Sequence, residues 1–424
     1  MNKRLIVLLI TSMCIGMLLI SCSSTKDQDA YSKQVIIIQQ PEAAPSTDGS
    51  LHQPPFMENV QSPRVYYVLS KRENSIYPFE NPEKITQIIL GSSVSMVIMS
   101  DGGLWTWGDS FKDQLEVNAI QNRHIPVKIM DDVQSVSIGF NRVMAVRTDG
   151  TLWAWGCNLR GGFGDGTTES SQIPTLIMDD IRIVSQGVLH TSVIKKDNSL
   201  WVWGDIVQYY PLDNIFPRSP KRVMENVTYI SSGSGHTMII CSEGNLWGFG
   251  INHSGQVGDG EVYGNAPWHR ALPPVLVMEN VSSVSAGGES TSAITYDGYL
   301  WSWGLNTGVS FMAGRNAFSR PVKIMSDVRS VSVEKFIRND DTLWAWGSNF
   351  FGAVGDGTNI SRPYPVQIME NVYMVASSGH SLARSFCGTL WAWGSNFAGE
   401  LGVSEFEFDR SNIPIPIATV GIQP

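Results

Sequence analysis

Beyond residue 63 the chain is built of short apolar runs of period two, each broken within a few positions by Gly, Asp, Asn or Pro. Such alternation predicts half-buried strands joined by tight turns, because successive strand side chains point to opposite faces. One segment recurs seven times, as Leu-Trp-x-Trp-Gly. It occupies residues 104–108, 152–156, 200–204, 246–250, 300–304, 343–347 and 390–394, with Phe249 replacing the second Trp of the fourth copy. Its period of two puts the paired Trp on one face and Leu on the other, so both faces are bulky and predict a strand between stacked sheets. Before each copy stands a turn: Asp101-Gly102, Asp149-Gly150, Asp197-Asn198, Glu243-Gly244, Asp297-Gly298, Asp340-Asp341 and Cys387-Gly388. Asp-Gly between apolar runs predicts a hairpin whose two turn residues take positive φ.

The rest of the unit is equally regular. Upstream lies Val-x-x-Val-Ser-x-Gly, as in Val133 to Gly139. Downstream come Asn-x-x-Gly-x-x-Gly-Asp-Gly, at 158–166, 252–260 and 349–357, and then Pro-x-x-Ile/Val-Met. No helix-length amphipathic stretch interrupts them. Four short antiparallel strands per 43 to 54 residues, seven times over, predict an all-β, seven-bladed β-propeller of four-stranded antiparallel blades. An eight-bladed ring with a composite terminal blade is the alternative. Residues 67–79 match the hairpin in outline, and Ile413-Pro-Ile-Pro-Ile417 matches the last strand, so the two ends are expected to complement each other.

These co-occurring motifs resemble the repeat of the regulator of chromosome condensation family, over roughly residues 64–420. The resemblance implies seven blades. The first, third and fifth units depart from it where the Gly-Asp-Gly loop should stand. The family includes guanine-nucleotide exchange and chromatin binding, and a secreted β-lactamase inhibitory protein carries the same repeat.

The N-terminus supplies an address. Lys3 and Arg4 precede an uncharged run from Leu5 to Ile20, and Leu19-Ile20-Ser21-Cys22 resembles the bacterial lipobox. Residues 1–21 are thus expected to be a lipoprotein signal peptide and Cys22 the lipidated mature N-terminus. Two or more acyl chains tether stably, at about 0.8 kcal/mol per buried CH₂. Residues 22–62, rich in Ser, Gln and Pro, read as a flexible tether, and 63–424 as the propeller. The chain is therefore expected in the cell envelope, membrane-anchored and facing outside the cytoplasm.

Composition narrows the classes. The 40 Gly argue against a helical bundle. Thirty basic against 39 acidic residues give −9, and loss of Lys3 and Arg4 with the signal makes it −11. That balance disfavours nucleic acid, whose phosphates call for a positive surface. Cys157, Cys241 and Cys387 lie far apart and read as small packing residues; no metal-type Cys/His spacing occurs. His190, His236 and His380 share one repeat position and read as hydrogen-bonding links between blades. The Gly-Asp-Gly loops lack a Gly-Lys-Ser/Thr ending and read as turns. Ser332-Val-Glu-Lys335 has Ser-x-x-Lys spacing, but it falls in a predicted strand without the motifs that accompany it in acyl-transfer enzymes, and reads as coincidence.

No catalytic set, cofactor or metal site is expected. The candidate contacts are Tyr209, Tyr210 and Phe216 in the third unit and Tyr263, Trp268, His269 and Arg270 in the fourth, since aromatics and Arg concentrate at interface centres. Phe406 and Phe408 in the last unit are weaker candidates. These features point to a non-catalytic, lipid-anchored protein-protein interaction module whose partner is an extracytoplasmic protein or peptide. An inhibitor of a secreted enzyme is the alternative, and an envelope enzyme acting on polysaccharide a third reading.

Overall fold

A computed structural model describes residues 84–109, 124–188, 190–204, 218–262, 272–305, 317–403 and 409–417. Within them the chain forms seven four-stranded antiparallel sheets and no α-helix. Each sheet is contiguous in sequence. Blade 1 spans 85–130, blade 2 133–178, blade 3 181–224, blade 4 227–278, blade 5 281–325, blade 6 328–369 and blade 7 372–416. First strands of successive blades abut one another, and that of blade 7 meets that of blade 1. The sheets therefore close into a seven-bladed β-propeller with the first strands innermost.

The Asp-Gly hairpins form, with a different turn from the expected one. Arg147 N–H bonds to Thr151 O, and Gly150 N–H to Arg147 O. This is a three-residue loop, in which only the third residue needs the left-handed region. Gly150 has φ 91°, while Asn198 and Asp341 fill that position at 63° in blades 3 and 6. The Asp is retained for its side chain: Asp149 Oδ1 accepts both the N–H and the hydroxyl of Thr151.

The Trp pairs also divide. The second Trp of each pair is fully buried, as Trp107, Trp155, Trp203, Trp303, Trp346 and Trp393. The first is only half-buried. Its ring lies beneath a cation in several blades, with Arg147 over Trp153, Lys195 over Trp201 and Arg338 over Trp344.

Blades are joined at three levels. On the hairpin face, the first N–H of a blade bonds to the carbonyl of the preceding hairpin, as in Val133 N to Gly102 O and Ile181 N to Gly150 O. Along the inner strands, serine hydroxyls accept the N–H of the next blade: Ser137 from Gln186, Ser185 from Ser232, Ser231 from Ala286, Ser285 from Val333 and Ser332 from Ser377. The third level lies between the sheets and centres on the buried Trp.

Among the described residues every blade draws its four strands from one continuous stretch of chain. Blade 7 takes its outer strand from Arg410–Pro416, so the C-terminal segment completes the seventh blade by itself. Ile417 and Leu401 then share a buried cluster with Ile85, Val97 and Trp107 of blade 1. The expected complementation by residues 67–79 falls outside the described residues.

Candidate interaction face

Strand direction sorts the connections onto two faces. Hairpins and blade-to-blade links lie on one. Turns between first and second strands, and the described loops between third and outer strands, lie on the other, here called the loop face.

Four of the loops share one design. A buried Asn anchors each, its Oδ1 accepting the N–H five residues on: Asn158 from Phe163, Asn252 from Val257, Asn349 from Val354 and Asn396 from Leu401. Its amide nitrogen reaches the Asp of Gly-Asp-Gly in the first three, at 2.8 Å for Asn252–Asp259. The frame is a socket. The indole Nε1 of the next blade donates into it, Trp203 to Gly162 O, Trp303 to Gln256 O, Trp393 to Ala353 O and, across the closing seam, Trp107 to Glu400 O, all at 2.8 to 3.0 Å. A hydroxyl on the next blade's second strand donates to the same carbonyl, as Thr191, Thr291, Ser381 and Ser95 do.

The three repeat histidines lock onto this assembly. His190 Nε2 is 2.8 Å from Thr237 Oγ1, His236 Nε2 2.9 Å from Thr291 Oγ1, and His380 Nε2 2.7 Å from Ser95 Oγ, each partner on the next blade. Thr291 and Ser95 spend their own protons on loop carbonyls, so His236 and His380 must donate from Nε2. Their Nδ1 atoms have no hydrogen-bond partner among the described residues. Burial pushes the imidazoles down to about 3 for His190 and His380 and about 4 for His236, so all three are neutral near pH 7. They link blades, as expected from the repeat.

The sockets fix what faces solvent. The residue after the anchoring Asn stands at the tip, and Leu159, Phe350 and Phe397 are 72%, 78% and 59% exposed there. His253 occupies the same place and pairs with Glu289 at 3.1 Å, which Ser254 also contacts. Burial raises the Glu289 carboxyl, but the hydrogen bonds from Ser254 and His253 outweigh it and hold it below its ordinary value. Phe351 meets Phe397 edge-on at 5.6 Å, bridging blades 6 and 7. Phe140, in a turn of blade 2, adds a further exposed ring to this face.

Tyr209, Tyr210 and Phe216 fall in the connection between Gly204 and Lys221, and Tyr263, Trp268, His269 and Arg270 in that before Leu272. These seven residues, Phe406, Phe408 and Cys22 lie outside the described residues. Both connections leave and rejoin the blades on the loop face. Phe350, Phe351, Phe397 and Leu159 stand inside loops whose glycine pattern signals only a turn; the two variable positions of Asn-x-x-Gly are the one local signal of exposed rings there. Cys157 and Cys241 are half-buried, but Cys387 occupies the exposed hairpin turn of blade 7 rather than a packing position. No group of three or more His, Cys, Asp or Glu side chains converges on a metal-sized site among the described residues.

Family models of the regulator of chromosome condensation (RCC1) repeat match residues 133–161 and 227–256, and 149–194 and 340–383. The chain carries RCC1 repeats. It is 28% identical over 146 residues to the Ultraviolet-B receptor UVR8 of Arabidopsis thaliana, covering 32% of each chain. It is 30% identical over 162 residues to the RCC1 domain-containing protein RUG3, mitochondrial, of the same plant, covering 31% of this chain and 36% of that one. The matches thus span about a third of each relative. Among solved structures, Prp20p of Saccharomyces cerevisiae superposes with a TM-score of 0.63 at 19% identity, covering 78% of this chain and 87% of that one. Its complex with Kap60 gives 0.64 at 18% identity, over 88% and 91%. These likenesses concern the fold.

Proposed function

We propose that this RCC1-repeat propeller is a non-catalytic protein-protein interaction module, anchored by lipid at Cys22 to a membrane of the cell envelope and facing outside the cytoplasm, and that its loop face receives the partner. The observation that carries the reading is a division of labour within the loops. Their interiors are committed to blade-to-blade sockets, while their tips present aromatic and aliphatic side chains on rigid frames. Rigid display of such rings lowers the entropy lost on binding. The connections that hold Tyr209, Tyr210 and Trp268 leave and rejoin the blades on the same face, and on sequence grounds these residues are added to the proposed partner contacts. Prp20p offers a parallel, since its structures concern binding to Gsp1p, histones and Kap60. For this chain the signal-like start and acidic balance favour an extracytoplasmic protein over nucleic acid.

The test is a pull-down from envelope extracts with the full chain and two variants. Phe350→Ala/Phe397→Ala is expected to lose a partner that the parent retains, by about tenfold or more in affinity. A variant altered on the opposite face, Tyr296→Ala, is expected to keep it. Equal retention by all three would remove the loop face from the account. Labelled palmitate entering the parent but not Cys22→Ala would support the anchor.

A further inference from the structure

Blade 6 breaks the pattern at one place. In blade 5 the inner hairpin pairs Ser285 with Ser292; in blade 6 it pairs Ser332 with Lys335, four residues fewer. The shortened turn leaves Val333 at φ 52°, a costly conformation for a β-branched residue. It also removes from this blade the segment that supplies His190, His236 and His380 elsewhere. Lys335 lands opposite Ala345, the register held by Ser192 in blade 3 and Ser292 in blade 5. Those serines touch the next blade with neutral groups, Ser192 at Thr237 and Ser292 at Val333 O. Blade 6 makes the same contact with an amine. Lys335 is 2% exposed, and its Nζ lies 2.8 Å from Ser377 Oγ. At this register the remaining blades carry Met96, Met144, Met238 and Leu382, so a serine or an apolar side chain suffices elsewhere and a buried amine is a costly substitute.

Ser377 differs from its partner in access. It is half-buried, and the adjoining Ser378 and Gly379 are exposed on the loop face. Its backbone N–H is held by Ser332 Oγ at 3.2 Å, which fixes the strand beneath the hydroxyl. Thus the serine of the Ser-x-x-Lys spacing positions the chain, and a second serine meets the amine. A hydroxyl on a half-buried residue, within hydrogen-bond reach of a buried amine, is the arrangement of an activated nucleophile.

We propose that Ser377 and Lys335 form a nucleophile–base pair that accepts an acyl group from a small activated ester or strained amide. As the Ser377 Oγ–carbon bond forms, its proton passes to the neutral Lys335 amine and the carbonyl electron pair moves onto oxygen. When that pair returns, the bond to the leaving group breaks and the leaving group takes the proton from Lys335. The product is an acyl ester on Ser377, which water can hydrolyse. Burial lowers the Lys335 amine to about 8, partly opposed by Glu334, so a neutral fraction exists near neutral pH. The charged or titratable neighbours facing it are Glu334 on its own hairpin and His380 on blade 7. This pair is separate from the loop-tip surface: acylation of Ser377 would replace the non-catalytic part of the function proposed above and leave the loop tips as partner surface, while its absence would leave that function unchanged.

The experiment treats the full chain in detergent with p-nitrophenyl acetate and maps acetyl groups by mass spectrometry. Acetylation of Ser377 is expected in the parent, rising with pH through about 8, and absent in Ser377→Ala. Lys335→Met is expected to slow it about 100-fold while near-ultraviolet circular dichroism stays native. Lys335→Arg, which keeps a cation but supplies no base, is expected to be equally slow. Acetyl groups confined to surface lysines in the folded parent would overturn the proposal. So would a parent-like rate in Lys335→Arg, since that would make the amine only a structural contact.

Discussion

The buried histidines show what a single residue type does in this ring. Each is neutral when folded and would take a proton near pH 6.5 when unfolded, because its folded value is pushed down to about 3 or 4 by burial. Between pH 6.5 and about 4 the unfolded state therefore binds more protons than the native state, and stability falls as pH falls. Three such groups give a slope approaching roughly 4 kcal/mol per pH unit at its steepest. Urea midpoints measured from pH 7.5 down to 4.5 are expected to drop steadily. His380→Gln retains a donor toward Ser95 but cannot be charged, and is expected to flatten the slope by about one proton. An unchanged slope would mean that the imidazoles are protonated in the native state. This role was legible because three equivalent positions in a repeat favour one shared structural task. Lys335 was not legible, since its meaning depends on a four-residue deletion visible only once registers are paired.

At the scale of elements, the third-to-outer loop is the unit that makes one blade depend on the next. Gly164 has φ 83°, and a Cβ there would come within 2.6 Å of the Trp203 ring, so the position needs glycine for both conformation and space. Gly258 and Gly355 meet Trp303 and Trp393 in the same way. Gly164→Ala is expected to cost about 2 to 4 kcal/mol. Trp203→Phe removes one donor to Gly162 O, which Thr191 still satisfies, and leaves a gap where the larger buried ring stood, so about 1 kcal/mol is expected for the bond and roughly 1 to 2 kcal/mol more for the gap. Denaturant unfolding of both variants checks this; a parent-like midpoint for Gly164→Ala would refute the socket account. The glycines and the indoles were each plain in the sequence, but their union was not. Trp203 lies 41 residues beyond Gly162, and nothing local ties the two. The same reason hid Phe350: it stands in a loop like that of Phe163, yet one ring is 78% exposed and the other 1%, according to which side of the socket its position falls.

At the scale of the whole molecule, the seven seams are not equal. Five carry a serine clasp along the inner strands, and the two seams of blade 1 do not, because Ile89 and Ala376 stand where the serine would be. Blade 1 is held instead by apolar contacts with both neighbours and by the bonds of Trp107 and Ser95 to Glu400 O. Its seam with blade 7 also depends on the C-terminal segment, since Ile417 packs beside Trp107 and donates its N–H to Leu390 O. Ending the chain at Val403 removes that strand and the buried Ile417. The side chain alone contributes about 1.5 to 3 kcal/mol, and each lost backbone bond roughly 0.5 to 1.5 more. A ring opened at one seam becomes an array whose end blades have one neighbour each, and such ends fray first. The truncated chain is thus expected to unfold at lower temperature and over a broader range in calorimetry. Limited proteolysis should cut first within residues 85–108 and 372–403, with blades 3 to 5 surviving longest. Cleavage spread evenly over all blades, or an unchanged transition, would mean that closure does not rest on this seam.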